Sequence, residues 1–315
     1  MLKLIFYRFA QAALILLLIS FLVFVLLASA GGDAISNLQN NPQTSEQTLA
    51  TLRQLYALDR PLPVRYAMWL GELAGGSLGQ SIYFQAPVWS VIQPRFWNTF
   101  ALAMAAMSIA LAVASTLGLT AARQTGSLTD RFCDLIILLT SSTPRLVLAI
   151  LALSLLARTS LIGGNTSDLP TGTWILRLLP PAFILSVPLI ALLLAQTRAA
   201  VSATLNEDYV RVARAKGLSE RLILFRHALR PALNTLITTF GASLGGLMSG
   251  SVIVEQVMNW PGLGQLSVIA VRSRDVVLLM GIVLVTSAAV LFGNLLADVL
   301  LRLNDPRLRQ ENHIA

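Results

Sequence analysis

The chain has 315 residues, of which 55% are hydrophobic and only 12% charged, with a formal net charge of +8. Half the roughly 25% charge of a soluble domain, combined with several apolar stretches of about 20 residues, excludes a single soluble core and points to a polytopic membrane protein. One cysteine, Cys133, excludes an intrachain disulfide or cysteine metal cluster, and positive charge that alternates between loops instead of forming one basic face speaks against nucleic acid as a partner.

The first apolar run, 9–30, follows Lys3 and Arg8 as a signal peptide would, but it exceeds the roughly 7–15 residues of a signal-peptide core and reads as a retained span. Residues 31–98 form an external cap segment. Within it Thr44 and Gln47 fit a capping box before an amphipathic run with Leu49, Leu52 and Tyr56 on one face. A second short helix begins near Val64, after Pro61 and Pro63; Gly75 to Gly79 turn the chain, and Asn98 or Thr99 caps the next span. Further spans follow at 99–121, 132–157, 179–197, 234–256 and 277–300. With the first they make six, each long enough to cross a hydrocarbon layer of about 30 Å.

Two spans depart from plain lipid-facing helix. The third carries Ser141, Ser142, Thr143, Pro144 and Arg145 near its middle. Pro144 predicts a kink, and Arg145, too costly to face lipid, is either paired inside the bundle or lines a watery path. The fifth carries Gly241, Ser243, Gly245, Gly246, Ser249, Gly250 and Ser251, whose spacing suits close helix packing, a pore surface, or both on opposite faces. Arg145, Ser243, Ser249 and Glu255 are the candidates for a translocation path. Asp134, Glu255, Asp275 and Asp298 lie near predicted span ends, where interfacial solvation accounts for them.

Lys and Arg set the orientation. Placing the N-terminus in the cytoplasm gathers there Lys3, Arg8, Arg123, Arg131, the cluster from Arg198 to Arg230, and the arginines after the last span. Fewer lie opposite, and half of those fall in the long 31–98 segment, which weighs little. Both termini are therefore expected in the cytoplasm.

Energy and chemistry must come from elsewhere. Lys3 and Lys216 are the only lysines and neither follows a glycine, so no P-loop exists and any ATP hydrolysis belongs to another chain. His227 and His313 are the only histidines, both assigned to the cytoplasmic side, and no His, Cys or carboxylate cluster has metal-site spacing. A serine nucleophile lacks an intramembrane base. The chain is expected to be no enzyme and to hold no cofactor.

The segment 199–232 is a charged island between apolar runs. It reads as two short helices: Glu207 and Asp208 suit a helix N-terminus, Arg214 and Lys216 its C-terminus, and Gly217 the left-handed stop. Ser219 then caps a second helix through about Leu229, before Pro231. An amphipathic loop lying on lipid headgroups would show the same charge. As a whole, however, Glu207-Asp-Tyr-Val-Arg-Val-Ala-Arg-Ala-Lys-Gly-Leu-Ser219 resembles the cytoplasmic EAA-type loop of binding-protein-dependent ABC import permeases, most nearly the B-type subunit of the dipeptide/oligopeptide/nickel family. Val252-Ile-Val-Glu-Gln-Val-Met-Asn-Trp-Pro-Gly-Leu-Gly264, Arg274-Asp275, Leu58-Asp-Arg-Pro-Leu62 and Ser77-Leu-Gly-Gln-Ser81 are similar to other elements of that family. Arg211-Val212-Ala213 stand where the general pattern has Glu-Ala-Ala, as in the peptide branch, and Ala30-Gly-Gly-Asp-Ala34 replaces its Pro-Gly-Asp-Pro.

The resemblance implies an all-α, polytopic fold with six transmembrane helices, the type I ABC importer permease fold, as a single domain over 1–315. It implies a bacterial inner-membrane permease subunit importing di- or oligopeptides, with nickel or a metal chelate as the alternative cargo. Its implied partners are a homologous C-type permease, two cytoplasmic ATPase subunits holding ATP and Mg, an external substrate-binding protein, and membrane lipid. The loop, which includes Asp208, would dock in a groove of the ATPase, with Tyr209, Ala213 and Leu218 making apolar contacts, Glu207, Arg211, Arg214 and Lys216 polar ones, and Gly217 as hinge. An ion-coupled secondary transporter is the rival class, and its paired broken helices in an inverted repeat are not evident.

Overall fold

The computed structural model describes residues 2–29, 59–156 and 171–304. The expected capping box at Thr44 and Gln47, the face formed by Leu49, Leu52 and Tyr56, the Ala30–Ala34 segment, His313 and the His227 side chain lie outside the described residues. Long apolar runs must satisfy their backbone hydrogen bonds internally, which helices do. Regular structure among the described residues is helical except for one antiparallel pair, β1 (Gln80–Ser81) with β2 (Ala86–Pro87).

In chain order the helices are α1 (Leu2–Ser29), α2 (Leu62–Ala74), α3 (Val88–Arg123), α4 (Leu128–Ser142), α5 (Arg145–Leu156), α6 (Thr171–Leu205), α7 (Asp208–Ala215), α8 (Glu220–Leu222), α9 (Leu229–Val257), α10 (Leu263–Arg272) and α11 (Val276–Asn304). Five of them, α1, α3, α6, α9 and α11, are long and apolar enough to cross a membrane. The third predicted span, 132–157, is instead a broken one: α4 and α5 pass the same test only as a pair, bent by 95°. The cause is Pro144. Its ring drives the preceding residue out of the helical region, and Thr143 is extended at φ −96°, ψ 118°. Pro144 then starts a new helix, its carbonyl accepting from Val147 N at 3.0 Å and Leu148 N at 3.2 Å.

Helix ends also outrun the apolar windows. The short helix expected near Val64 begins at Leu62, with Pro63 in its first turn where a missing N–H costs nothing. The second span starts not at residue 99 but at Val88, whose N–H donates to Gly79 O at 3.0 Å as the chain leaves the hairpin. Asn98 and Thr99 are therefore not caps of this helix. Asn98 Nδ2 donates to Pro261 O at 2.9 Å, and Thr99 Oγ1 accepts from Leu263 N at 2.8 Å, satisfying an N–H at the start of α10.

The chain divides into two compact units, Met1–Thr99 with Pro261–Leu291, and Phe100–Trp260 with Phe292–Ala315. In the first, Phe24, Trp69 and Met280 form a buried cluster joined by Tyr66, whose hydroxyl lies 2.9 Å from Ser20 Oγ. Asp275 is fully buried there, which corrects its expected place among solvated interfacial carboxylates. It accepts from Ser81 Oγ at 2.6 Å, Tyr83 N at 3.1 Å and, through Oδ1, Leu278 N at 3.0 Å, so it caps α11 and holds the hairpin.

In the second unit α6 is the hub, with 67% of its most apolar stretch buried. α3 meets it closely, since a Cβ at Gly118 would stand 2.9 Å from Thr197. Of the small residues in α9, Gly241 packs on α11, where an added Cβ would strike Ala297. Gly246 faces open space, and Gly250 receives the Arg145 guanidinium.

Candidate coupling surface and membrane-buried groups

The charged island forms α7 as its sequence requires. Asp208 in the first turn and Arg214 in the last complement the helix dipole, while Glu207, extended at ψ 147°, precedes it without a side-chain cap. Gly217 adopts φ +80°, and the exit is closed by Gly217 N donating to Arg214 O at 2.9 Å and Leu218 N to Ala213 O at 3.3 Å, a Schellman pair. Ser219 Oγ accepts from Leu222 N at 3.4 Å and opens α8.

The second island helix does not stop before Pro231. It passes through a π-helical segment, Ile223–Ala228, in which Leu229 N reaches back to Leu224 O, and continues as α9. The island is thus one separate helix, α7, followed by α8, which runs through the π segment into a span.

α7 has two faces. Val210 and Ala213, three residues apart, are buried in a cluster with Leu119, Val201, Leu205, Ile223, Leu224 and Ala228. Ala213 is therefore an internal contact and not the partner contact expected of it: three residues from Val210, it falls on the side that must cover α6. The outward face carries Tyr209, 47% exposed, and Val212, 53% exposed, with Arg211, Arg214 and Lys216; Leu218 follows at the turn. Val212 is an apolar residue on the outward face that was not among the expected contacts.

Arg214 is engaged within the chain, its Nε 2.8 Å and Nη2 3.4 Å from the Glu220 carboxylate. That hydrogen bond holds the Glu220 carboxyl below its ordinary range and pushes the guanidinium further up. Burial, with Glu207 second, pushes the Tyr209 hydroxyl up. Arg211 Nη1 lies 3.4 Å from Asp208, a weak exposed pair. A cleft of about 540 Å³ opens beside Arg214 and Glu220, lined also by Arg123, Gln124 and Ser127.

The intramembrane candidates do not converge. Arg145 is half-buried at the start of α5 with its guanidinium against Gly250, and Ser243, Gly246 and Gly250 share that face of α9 by their spacing. Ser249 is exposed and returns its hydroxyl to Gly245 O at 2.9 Å. Glu255 is fully buried on another side, accepting from Ser251 Oγ at 2.8 Å, so interfacial solvation does not describe it. Just beyond, the Trp-Pro-Gly element turns at Asn259, φ +52°, with Trp260 N donating to Glu255 O at 2.9 Å and its ring 5.9 Å from Trp174.

Residues 114–310 match the family described as binding-protein-dependent transport system inner membrane component, and residues 1–103 match the N-terminal membrane component of such systems. The chain belongs to this family. Among relatives, a putative peptide permease protein of Brucella ovis is 35% identical over 302 residues, 93% of this chain and 95% of that protein. The oligopeptide transport system permease protein AppB of Bacillus subtilis is 33% identical over 307 residues, covering 93% and 95%. A probable peptide ABC transporter permease of Sinorhizobium fredii is 31% identical over 306 residues, covering 96% and 97%. The solved inward-facing structure of the MetNI methionine ABC transporter matches with TM-score 0.56 and 16% identity over 68% of this chain and 96% of that one. The fold is the all-α, type I ABC importer permease fold, and the protein is a multi-pass inner-membrane permease subunit.

One ion-pair group in this permease has no counterpart in the sequence reading, which left Asp134 to interfacial solvation where the structure pairs it with an arginine. Asp130 and Asp134 on α4 both face Arg198 on α6, seven residues before that helix ends. Their 64- and 68-residue separations from Arg198 leave no local pattern to find.

Proposed function

We propose that this permease forms half of the translocation path of an ATP-driven importer of short peptides and that α7 is its coupling helix. The observation that carries this reading is the division of α7: Val210 and Ala213 anchor it on α3, α6 and α9, while Tyr209, Val212, Arg211 and Lys216 stand outward. Such a helix transmits a push on its outer face to three membrane helices through that packed seat. The rest of the assembly is a homologous C-type permease, two cytoplasmic ATPase subunits that bind ATP and Mg, and an external substrate-binding protein. Both termini lie in the cytoplasm with α7. Relatives named for peptides across more than nine-tenths of the chain support peptide cargo over nickel.

Gly217 at φ +80° is a position where proline, fixed near −65°, does not fit. In assembled complexes reconstituted in vesicles, Gly217→Pro and Arg214→Glu are expected to lower peptide uptake by about tenfold or more while ATP hydrolysis persists. Unchanged uptake per ATP in both variants would refute the coupling role.

A further inference from the structure

Three helices meet where α6 approaches its cytoplasmic end. Cys133 of α4 is fully buried with Sγ 3.8 Å from Leu117 O of α3, and Gly118 of α3 abuts Thr197 of α6. At that level Arg198 spans two carboxylates of α4. Its Nε stands 2.8 Å from Asp130 Oδ1, a charge contact without the alignment of a hydrogen bond, and its Nη1 pairs with Asp134 Oδ1. The Asp130 side chain is 6% exposed and Asp134 61%. Asp130 Oδ2 in turn accepts from Gly126 N at 2.8 Å, so the same carboxylate fixes the loop between α3 and α4.

The place of Arg198 on its own helix gives the clamp a direction. Val201 and Leu205 follow it at three and seven residues, on the same side of α6, and both are buried in the cluster that seats Val210 and Ala213 of α7. The same helix side therefore grips α7 at its lower end and α4 one to two turns above. α4 runs without interruption from Asp130 to Ser142, and the chain then breaks at Thr143 and Pro144 to start α5 with Arg145. Of the described helices, the broken pair is the element whose geometry is set by a local bend and not by a continuous ladder, hence the one a displacement at its base re-aims.

We infer that Arg198 is a positioning residue that carries displacement of the coupling helix through Asp130 and Asp134 into the broken span α4–α5. A guanidinium suits this task because its fork meets two acceptors at once in a fixed plane, whereas an ammonium is a single point charge on a flexible stem. The inference rests on the proposed coupling role of α7. Loss of the clamp leaves α7 on its hydrophobic seat, so the ATPases still turn over, but the stroke no longer reaches α5.

The test compares wild type, Arg198→Ala, Arg198→Lys and Asp134→Asn in complexes with the partner permease, both ATPases and binding protein, reconstituted in vesicles, measuring peptide uptake and ATP hydrolysis on the same sample. Peptide moved per ATP is expected to fall about tenfold in Arg198→Ala and about threefold in Arg198→Lys and Asp134→Asn, with hydrolysis within about twofold of wild type. Asp134 is exposed, so its variant assembles even where loss of Arg198 prevents assembly. A wild-type ratio in Arg198→Lys and Asp134→Asn, or a proportional fall of uptake and hydrolysis together, overturns the inference, the latter because a merely structural role removes active complexes without changing the ratio. Wild-type complexes that show no ATP-dependent uptake would instead sink the importer reading itself.

Discussion

Asp275 joins two family-like motifs that lie far apart in the chain, Ser77–Ser81 and Arg274-Asp275. Fully buried, it accepts from Ser81, Tyr83 and Leu278, so each carboxylate oxygen is used. Removing it strands those donors and uncaps a span. Asp275→Ala is expected to cost about 2–4 kcal/mol, and Asp275→Asn, which keeps one acceptor, less. The unfolding midpoint of the detergent-solubilised protein checks this, and an unchanged midpoint for Asp275→Ala would remove the structural role. Both motifs were visible in the sequence, but their contact was not, because a carboxylate near a span end looks the same whether water or a buried hydroxyl receives it. Glu255 was misread for the same reason. Ala213 shows the converse: its motif position suggests a docking contact, while its helical spacing from Val210 and the burial of both put it on the inner side.

Among the described elements, the apolar windows located the five long helices and the broken pair but not where the helices end. Helix α3 gains its extra turns from the hairpin that precedes it, and α9 extends backwards through a π segment, both set by backbone hydrogen bonds that hydropathy does not register. The break between α4 and α5 was half legible, since Pro144 announces a disturbance and only the extended Thr143 turns it into a 95° bend. The glycines of α9 separate by what faces them. A methyl group at Gly241 meets Ala297, whereas at Gly246 nothing lies within 4 Å. Gly241→Ala is accordingly expected to destabilise by about 1–3 kcal/mol through overpacking, and Gly246→Ala to be neutral or stabilising by up to about 1 kcal/mol through helix propensity. Equal effects of the two substitutions on the thermal midpoint would show that the α9–α11 contact is looser than this.

At the scale of the whole molecule, the proposed function gives the outward face of α7 the task of receiving the drive from an ATPase, since the sequence holds no P-loop lysine. Membership in the binding-protein-dependent family makes the chain a transport permease, and the likeness to MetNI gives its fold. What the linear sequence could not convey is how distant segments gather: residues 261–291 fold with 1–99, and Arg198 reaches back to Asp130 and Asp134. Contacts of that kind arise from tertiary packing and leave no periodic trace. The most direct test uses single cysteines in a Cys133→Ala background, in inner membranes containing the assembled transporter. Thiol-specific crosslinking from Tyr209→Cys and Val212→Cys should join this chain to an ATPase subunit in a nucleotide-dependent manner, while Val210→Cys and Ala213→Cys, on the buried face, should not crosslink. Crosslinking from the buried pair alone, or from none of the four with the transporter assembled and active, would contradict α7 as the coupling helix.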